Sequence, residues 1–218
     1  DQSIGFFNSF KIEAVAVFFM LLSALNFTLH FAALRSFSLQ AYLQSIEAKY
    51  FFSIILISIA FIFFVLIISL PEENDLFTIA RIAIFNVVSI ATTTGYATTD
   101  YNLWPTITFS LMLLLSCFTT CSGSTGGGVK LIRAIIMLKQ ARREILRTVH
   151  PHAIIPIKIG NQTVANRVIL AVLAFMFFYL VTLVTAFLLL TSTGLSPGAS
   201  ISAALACLNN LGPALFEL

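Results

Sequence analysis

Two polar strips that each contain one glycine could bind a cation that has lost its water. The residues are Thr92, Thr93, Thr94, Gly95 and Tyr96 in the first strip and Asn209, Asn210, Leu211 and Gly212 in the second strip. A dehydrated cation needs oxygen ligands, and backbone carbonyls supply them without placing a full negative charge in a bilayer. Glycine accepts the φ and ψ angles that turn successive carbonyls towards one axis. We therefore predict that both strips belong to an ion selectivity filter.

An ordinary external turn between two helices is the alternative for either strip, because Thr, Asn and Gly are common turn residues. Two strips at matched positions weaken that alternative. Each strip ends a short apolar segment, and Gly95 lies 45 positions after Tyr50 while Gly212 lies 44 positions after Val168. The spacing indicates an internal repeat of long helix, turn, short helix and polar strip.

A second glycine cluster interrupts a helix that is apolar on both sides. The residues of this glycine loop are Gly123, Ser124, Thr125, Gly126, Gly127 and Gly128. Each glycine costs a helix about 1 kcal/mol relative to alanine, so the helix is predicted to break into a loop at membrane depth. We predict that the loop lies below the filter as a gate; a kink or a close helix contact is the alternative. A phosphate-binding loop is rejected, because Val129 stands where that motif needs lysine.

The composition is that of a multi-span helical membrane protein. The chain of 218 residues is 59% hydrophobic and 10% charged, whereas a soluble domain carries about 25% charged residues. No segment alternates as the strands of a transmembrane barrel do. Cys117, Cys121 and Cys207 lie in apolar surroundings, and neither a disulfide framework nor a zinc site is predicted. We expect no catalytic residues and no enzyme.

Four apolar segments are long enough to cross a bilayer, and two are too short. The long segments cover about 12–34, 50–70, 103–121 with a continuation from 129, and 168–190. The short segments cover 76–91 and 198–208 and are predicted to re-enter the membrane without crossing it. The predicted fold class is all-α, a polytopic membrane protein of helix–pore loop–helix repeats.

The charge distribution predicts the orientation in the membrane. Basic residues dominate the stretch 129–167, in which Glu144 is the one acid, and the positive-inside rule places this stretch in the cytoplasm. The loop 71–75 is acidic and is predicted to lie outside. Both short helices then re-enter from the outer face.

Three polar side chains inside apolar segments are predicted to have structural roles. Arg81 is predicted to brace the acidic loop, against Glu72, Glu73 or Asp75. His30 and Asn26 are predicted to form hydrogen bonds inside the bundle, because polar groups at such depth face the protein interior.

Four short motifs occur together in this chain: NVVSIATTTGY at 86–96, GSTGGGVK at 123–130, HP at 150–151 and LNNLGP at 208–213. Together they resemble the Trk/Ktr potassium uptake family, and most closely its TrkH-type membrane subunit. The resemblance implies four helix–pore loop–helix repeats around one pore, with potassium bound at the strips. It also implies that Gly95 and Gly212 are filter glycines and that the glycine loop is the intramembrane gate.

The resemblance divides the chain into four parts, and we expect the chain to be a piece of a longer protein. Residues 1–47 would hold the last transmembrane helix of the second repeat, 48–149 the third repeat, 150–167 a cytoplasmic linker, and 168–218 a fourth repeat truncated after its strip. The expected function is potassium transport across a bacterial inner membrane. A potassium-binding subunit of an ATP-driven pump and a non-conducting helical scaffold remain the alternatives.

The resemblance also implies the partners. Besides membrane lipid, these are a second copy of the chain in a homodimer and a cytosolic nucleotide-binding regulatory subunit of the TrkA type. The regulatory subunit would dock on the basic cytoplasmic face. The transported potassium ion is the expected ligand, with no organic cofactor and no nucleic-acid partner.

Overall fold

The computed structural model describes residues 4–69, 75–99, 104–153, 155–160 and 162–212. A short 3-10 helix at Ile4–Phe7 comes first. The α-helices are α1 (Phe10–Ala24), α2 (Phe27–Ser36), α3 (Gln40–Gln44), α4 (Ile46–Ser69), α5 (Leu76–Ala91), α6 (Thr106–Phe118), α7 (Leu131–Val149), α8 (Asn166–Ser192) and α9 (Pro197–Leu208). The strands β1 (Lys158–Ile159) and β2 (Gln162–Thr163) form a small antiparallel hairpin inside the predicted linker. The predicted helical membrane fold is confirmed, with this hairpin as an addition.

Within the described residues, α4 and α8 are the helices long and apolar enough to cross a membrane singly. They have 24 and 27 residues, and about 20 are needed. The α1–α2 pair passes the same test only as a unit bent by 101°. The prediction of one continuous helix over 12–34 is therefore wrong. The chain turns there because the Asn26 side chain accepts a hydrogen bond from the Thr28 amide at 2.9 Å and caps a new helix.

The third predicted long segment is divided, as the glycine loop predicts. Helix α6 has 13 residues and ends at Phe118, and α7 begins at Leu131. The predicted start of this segment at 103 lies outside the described residues, as does the predicted end of the second segment at 70. Two of the four predicted crossing segments are thus continuous helices, and two are broken.

Both predicted short helices are present. Helix α5 has 16 residues and α9 has 12, too few to cross a bilayer as a straight helix. Helix α9 begins at Pro197, where the proline ring suits the first helical position, and the Ser196 side chain accepts a hydrogen bond from Ala199 at 3.3 Å. The last seven residues of α5, 85–91, are all buried, so the end of this helix lies inside the protein.

The main core lies around the end of α5. Its largest fully buried side chains include Phe51 and Ile62 of α4, Phe85 of α5 and Met112 of α6. Other large apolar side chains on α1, α4 and α8 are exposed, as expected for helix faces that contact lipid tails. Helix α5 thus packs against α1, α4 and α6, whereas α9 packs against α8 and α6.

Candidate functional site

The two polar strips leave their short helices with the same backbone conformation. Thr92 follows α5 with φ −90° and ψ 0°, and Asn209 follows α9 with φ −93° and ψ 0°. The next residues, Thr93 and Asn210, are left-handed, with φ of 56° and 54°. Left-handed residues other than glycine are uncommon, so their presence at matched positions indicates one shared turn. The sequence did not predict them, because neither threonine nor asparagine demands this conformation.

The strip glycines are left-handed as well, with φ of 81° at Gly95 and 89° at Gly212. A side chain at such φ values is strained, whereas glycine is not. The prediction that each strip needs glycine for an unusual backbone conformation is therefore supported by the geometry of both copies.

The hydrogen bonds of the two strips match in the same way. In each strip the first three amides donate to carbonyls in the last turns of the preceding helix. The pairs are Thr92 to Val88, Thr93 to Ile90 and Thr94 to Ser89 in the first strip, and Asn209 to Leu205, Asn210 to Cys207 and Leu211 to Ala206 in the second, at 2.8 to 3.2 Å. The internal repeat therefore extends to individual backbone bonds.

The carbonyl oxygens of both strips are available to a ligand. Across the described part of the chain, no hydrogen bond is donated to the carbonyls of 92–95 or of 209–212. The carboxyl ends of α5 and α9 lie directly before these carbonyls, and a helix carries partial negative charge at that end. Unpaired carbonyls next to two such helix ends suit a cation.

Side-chain hydroxyls brace the first strip. The Thr92 hydroxyl donates to the Val88 carbonyl at 2.8 Å, and it lies 2.9 Å from the Thr94 hydroxyl. The Tyr96 carbonyl accepts a hydrogen bond from the Ser89 hydroxyl at 2.6 Å. Of the five predicted ligands in this strip, Tyr96 thus differs from the other four, because its carbonyl is engaged by α5.

A polar network supports the second strip from behind. The Asn209 side chain is fully buried, accepts a hydrogen bond from the Tyr179 hydroxyl at 2.9 Å and donates to the Ser116 hydroxyl at 3.2 Å. These bonds join the strip to α8 and α6. Tyr179 and Ser116 were missed by sequence reasoning, although a polar residue within an apolar helix is the signal that would have pointed to them.

The first strip has its own support, built differently. The Asn86 side chain is fully buried in α5 and donates to the Ile82 carbonyl at 2.9 Å and to the Thr98 hydroxyl at 3.0 Å. Its carbonyl oxygen accepts from the Thr98 amide at 3.2 Å. The chain after the strip is therefore tied back to the short helix, which holds the C-terminal end of the strip in place.

The glycine loop lies directly against both strips. The Gly127 amide donates to the Thr93 hydroxyl oxygen at 2.9 Å, and a Cβ atom at Gly127 would stand 2.0 Å from the Asn209 carbonyl oxygen. A Cβ atom at Gly126 would stand 2.3 Å from the Thr120 methyl carbon. No side chain fits at these two positions. The structure thus brings together the two strips and the loop, which the sequence placed far apart.

The other end of the loop is bonded to the break between α1 and α2. The Cys121 amide donates to the Ala24 carbonyl at 3.0 Å, and the Phe27 amide donates to the Gly123 carbonyl at 3.1 Å. The Glu47 carboxylate accepts from the Ser122 amide at 2.7 Å. Irregular backbone at membrane depth needs such internal partners, and here two broken helices supply them to each other.

Arg81 braces the structure, but through a partner that the sequence did not predict. Its guanidinium pairs with both oxygens of the Glu13 carboxylate, at 2.6 and 2.7 Å, and donates to the Asn8 side chain at 3.2 Å. The pair joins the first turn of α1 to the first half of α5.

The predicted pairing of Arg81 with Asp75 is wrong. Asp75 caps α5 instead, and its carboxylate accepts a hydrogen bond from the Phe77 amide at 3.1 Å. An acid at this position satisfies a free amide of the first helical turn, so the Asp75 carboxylate is engaged within its own helix. The other two predicted partners, Glu72 and Glu73, lie outside the described residues.

The prediction for His30 is confirmed. Its two ring nitrogens lie 2.6 Å from the Tyr42 hydroxyl and 2.9 Å from the Leu22 carbonyl.

Among the residues that the structure describes, no cluster of three His, Cys, Asp or Glu side chains could hold a metal ion.

Comparisons with known proteins agree with one another. A profile of the TrkH family, described as cation transport protein, matches residues 1–215. The Trk system potassium uptake protein TrkH of Halomonas elongata is 39% identical over 219 residues, which are 100% of this chain and 45% of the relative. TrkH of Escherichia coli strain K12 is 36% identical over 215 residues, 99% of this chain and 44% of the relative.

A solved structure is similar as well. The crystal structure of the potassium transporter TrkH from Vibrio parahaemolyticus aligns with a TM-score of 0.92 and 38% identity, covering 100% of this chain and 47% of the other. The chain therefore spans less than half the length of the relatives that it matches.

Proposed function

Because the chain belongs to the TrkH family of cation transport proteins, we propose that it forms about half of a potassium-conducting membrane subunit. One observation carries the proposal: two separate strips share one backbone conformation, and their carbonyl oxygens accept no hydrogen bond from other described residues. Potassium is the proposed ion because the matched relatives are named as potassium uptake proteins. The family is one of transporters, not of enzymes.

In the proposed mechanism, carbonyls of 92–95 and 209–212 replace part of the hydration shell of the ion. The partial negative charge at the ends of α5 and α9 favours a cation over an anion at the same place. Thr93 and Asn210 hold the turn, and Gly95 and Gly212 let the next carbonyl face the axis. Two further strips, from sequence beyond this chain, would complete the ring of ligands.

The proposed organisation keeps the four divisions expected from the sequence. Residues 1–47 end the second repeat, 48–149 form the third, 150–167 link the two, and 168–218 begin the fourth. Two observations support this division: α4–α5 and α8–α9 are the same pairing of a long and a short helix, and the α1–α2 pair is broken, as is the α6–α7 pair.

We propose that the glycine loop is the gate, because it contacts both strips and not only one. Potassium passing the strips would meet the loop next. Its backbone is held by hydrogen bonds to Thr93 on one side and to Glu47 and the α1–α2 break on the other. Opening then requires the loop to leave these partners without unfolding the helices on either side.

The proposed setting is a multi-pass subunit of a bacterial inner membrane, in a homodimer, with a TrkA-type nucleotide-binding partner in the cytosol. The basic surface of α7 supports the side chosen for that partner. Its last turns expose Arg142 and Arg147, with Glu144 as the one acid, and such a surface attracts acidic groups.

Rubidium and sodium flux into vesicles carrying the full-length protein tests the filter. We expect Gly95→Ser and Gly212→Ser to lose sodium exclusion, since serine at φ values of 81° and 89° forces the backbone to move. Gly194→Ser is the matched control: φ is 96° there, but the residue lies in the α8–α9 turn with no atom within 4 Å of a Cβ.

Selective flux in the control with lost selectivity in both strip variants is the expected result. Unchanged sodium exclusion in both strip variants would overturn the filter assignment. No flux from the full-length protein in any regulator state would favour a scaffold, and flux that requires ATP hydrolysis by a partner would favour a pump subunit.

A further inference from the structure

Lys130 follows the glycine loop directly, and its side chain folds back into the loop. The ammonium group donates to the Ser124 hydroxyl at 3.2 Å, to the Ser124 carbonyl at 3.4 Å and to the Gly126 carbonyl. The backbone of Lys130 is left-handed, with φ of 71°, and α7 starts at the next residue. This turn points the side chain towards the loop instead of towards the cytoplasm.

The three oxygens around the ammonium are of the type that binds potassium. Two are backbone carbonyls and one is a hydroxyl, and neutral oxygens of this kind replace the water of an alkali cation in a pore. An ammonium group is a compact point charge, similar in size to a potassium ion. One set of ligands therefore suits both.

We propose that the Ser124 carbonyl, the Ser124 hydroxyl and the Gly126 carbonyl form a cation-binding site within the glycine loop. The Lys130 ammonium occupies this site while the loop is closed and leaves it to a permeating potassium ion when the loop opens. The inference rests on the proposed function, because it adds a binding site and a tethered competitor to the proposed gate.

The position of the site supports a role in conduction. Gly126 precedes Gly127, whose amide binds the Thr93 hydroxyl oxygen and whose Cα faces the Asn209 carbonyl. The ammonium thus lies one residue from the place where the loop touches both strips. A positive charge held there repels any cation that arrives from the strips.

The surrounding charges allow the ammonium to stay in place. Glu47 accepts a hydrogen bond from the Ser122 amide, directly before the loop, and attracts Lys130 electrostatically. Arg133 in the first turn of α7 repels it. An opposite charge near the ammonium offsets part of the cost of removing it from water, and the repulsion favours its departure once the loop loosens.

Two measurements on full-length protein test the proposal. The first is rubidium flux into vesicles without the regulatory subunit, for Lys130→Met against wild type. Methionine keeps the length of the side chain and removes the charge, so we expect basal flux to rise roughly tenfold or more, the effect of losing hydrogen bonds to a charged group. Lys49→Met removes an exposed lysine at the start of α4 and should leave flux unchanged.

The second measurement is anomalous diffraction from crystals grown with rubidium. We expect a rubidium peak between Ser124 and Gly126 in the Lys130→Met protein, weakened when Ser124→Ala is added, and no peak there in wild type. If Lys130 only holds the loop closed, the Lys130→Met protein will show increased flux without this peak, and the proposed cation site will be overturned.

The outcomes separate the two proposals. Selective flux in wild type, with neither a flux increase nor a rubidium peak in Lys130→Met, overturns the loop site and leaves the filter assignment standing. Absence of selective flux in wild type overturns the proposed function itself. A peak in wild type at the same oxygens would also overturn the inference, because the ammonium could not then be the occupant.

Discussion

The Gly127 amide donates a hydrogen bond to the Thr93 hydroxyl oxygen at 2.9 Å, across 34 positions of sequence. Thr93 is the left-handed threonine of the first strip, and Gly127 is the fifth of the six residues of the glycine loop. The proposed filter and the proposed gate therefore share a bond. A movement of the loop removes a partner from the residue that holds the turn of the strip.

Thr93→Val tests this bond. Valine keeps the β-branched shape, so the strain at φ 56° is unchanged, but it cannot accept from Gly127. Loss of one hydrogen bond costs about 1 kcal/mol, which changes a two-state equilibrium roughly fivefold. We expect basal rubidium flux to rise by about that factor, and Thr93→Ser, which keeps the hydroxyl, to leave it near the wild-type value. Equal flux in the valine and serine variants would contradict the role of the bond.

Gly127→Ala tests whether the loop must lie against the second strip. The new Cβ would stand 2.0 Å from the Asn209 carbonyl oxygen, a contact that backbone atoms cannot relieve without moving. We expect a lower thermal midpoint and altered selectivity, because the displaced carbonyl is a proposed ligand. Gly194→Ala, with open space around its Cβ, should lower stability by the backbone strain alone and keep selectivity. Wild-type selectivity in the Gly127→Ala protein would show that selectivity does not depend on the contact between the loop and the second strip.

Tyr179→Phe tests the network behind the second strip. Phenylalanine keeps the ring and removes the donor to Asn209, whose side chain is fully buried. Leaving a buried acceptor unsatisfied costs about 1–3 kcal/mol. We expect a lower thermal midpoint together with weaker discrimination of potassium from sodium, measured by flux in vesicles. Phe178→Leu, on the exposed side of the same helix, is the control and should change neither quantity; loss of stability without loss of discrimination would limit the network to a structural role.

Neutralising Arg81 and Glu13, singly and together, tests the ion pair between α1 and α5. Glu13 is 5% exposed, so Arg81→Gln leaves a largely buried carboxylate without its cation, and removing one partner of such a pair is strongly destabilising. We expect Arg81→Gln and Glu13→Gln each to lower the thermal midpoint. The double variant Glu13→Gln/Arg81→Gln should recover part of the loss. Additive losses in the double variant would show that the pair contributes no coupling energy.

Much of the fold could be predicted because membrane helices follow local rules. Helices α4, α5, α8 and α9 agree with the apolar segments within a few residues, since a helix in a bilayer satisfies its backbone within one segment. The break after α6 follows from the helix propensity of glycine alone. The break after α1 was missed, because a single asparagine inside an apolar segment does not reveal that its side chain caps a new helix.

The sequence by itself determined the membrane class, the paired long and short helices, the two strips and the glycine loop, because composition and spacing are local properties. Only the tertiary structure decided what these parts contact. The Tyr179–Asn209, Arg81–Glu13 and Thr125–Ser23 contacts span 30, 68 and 102 positions. Such contacts depend on how helices pack, which residue type does not specify. The left-handed conformations of Thr93 and Asn210 were likewise decided by the tertiary structure. The hydrogen bonds of the folded turn must offset the cost of a conformation that these residues rarely adopt.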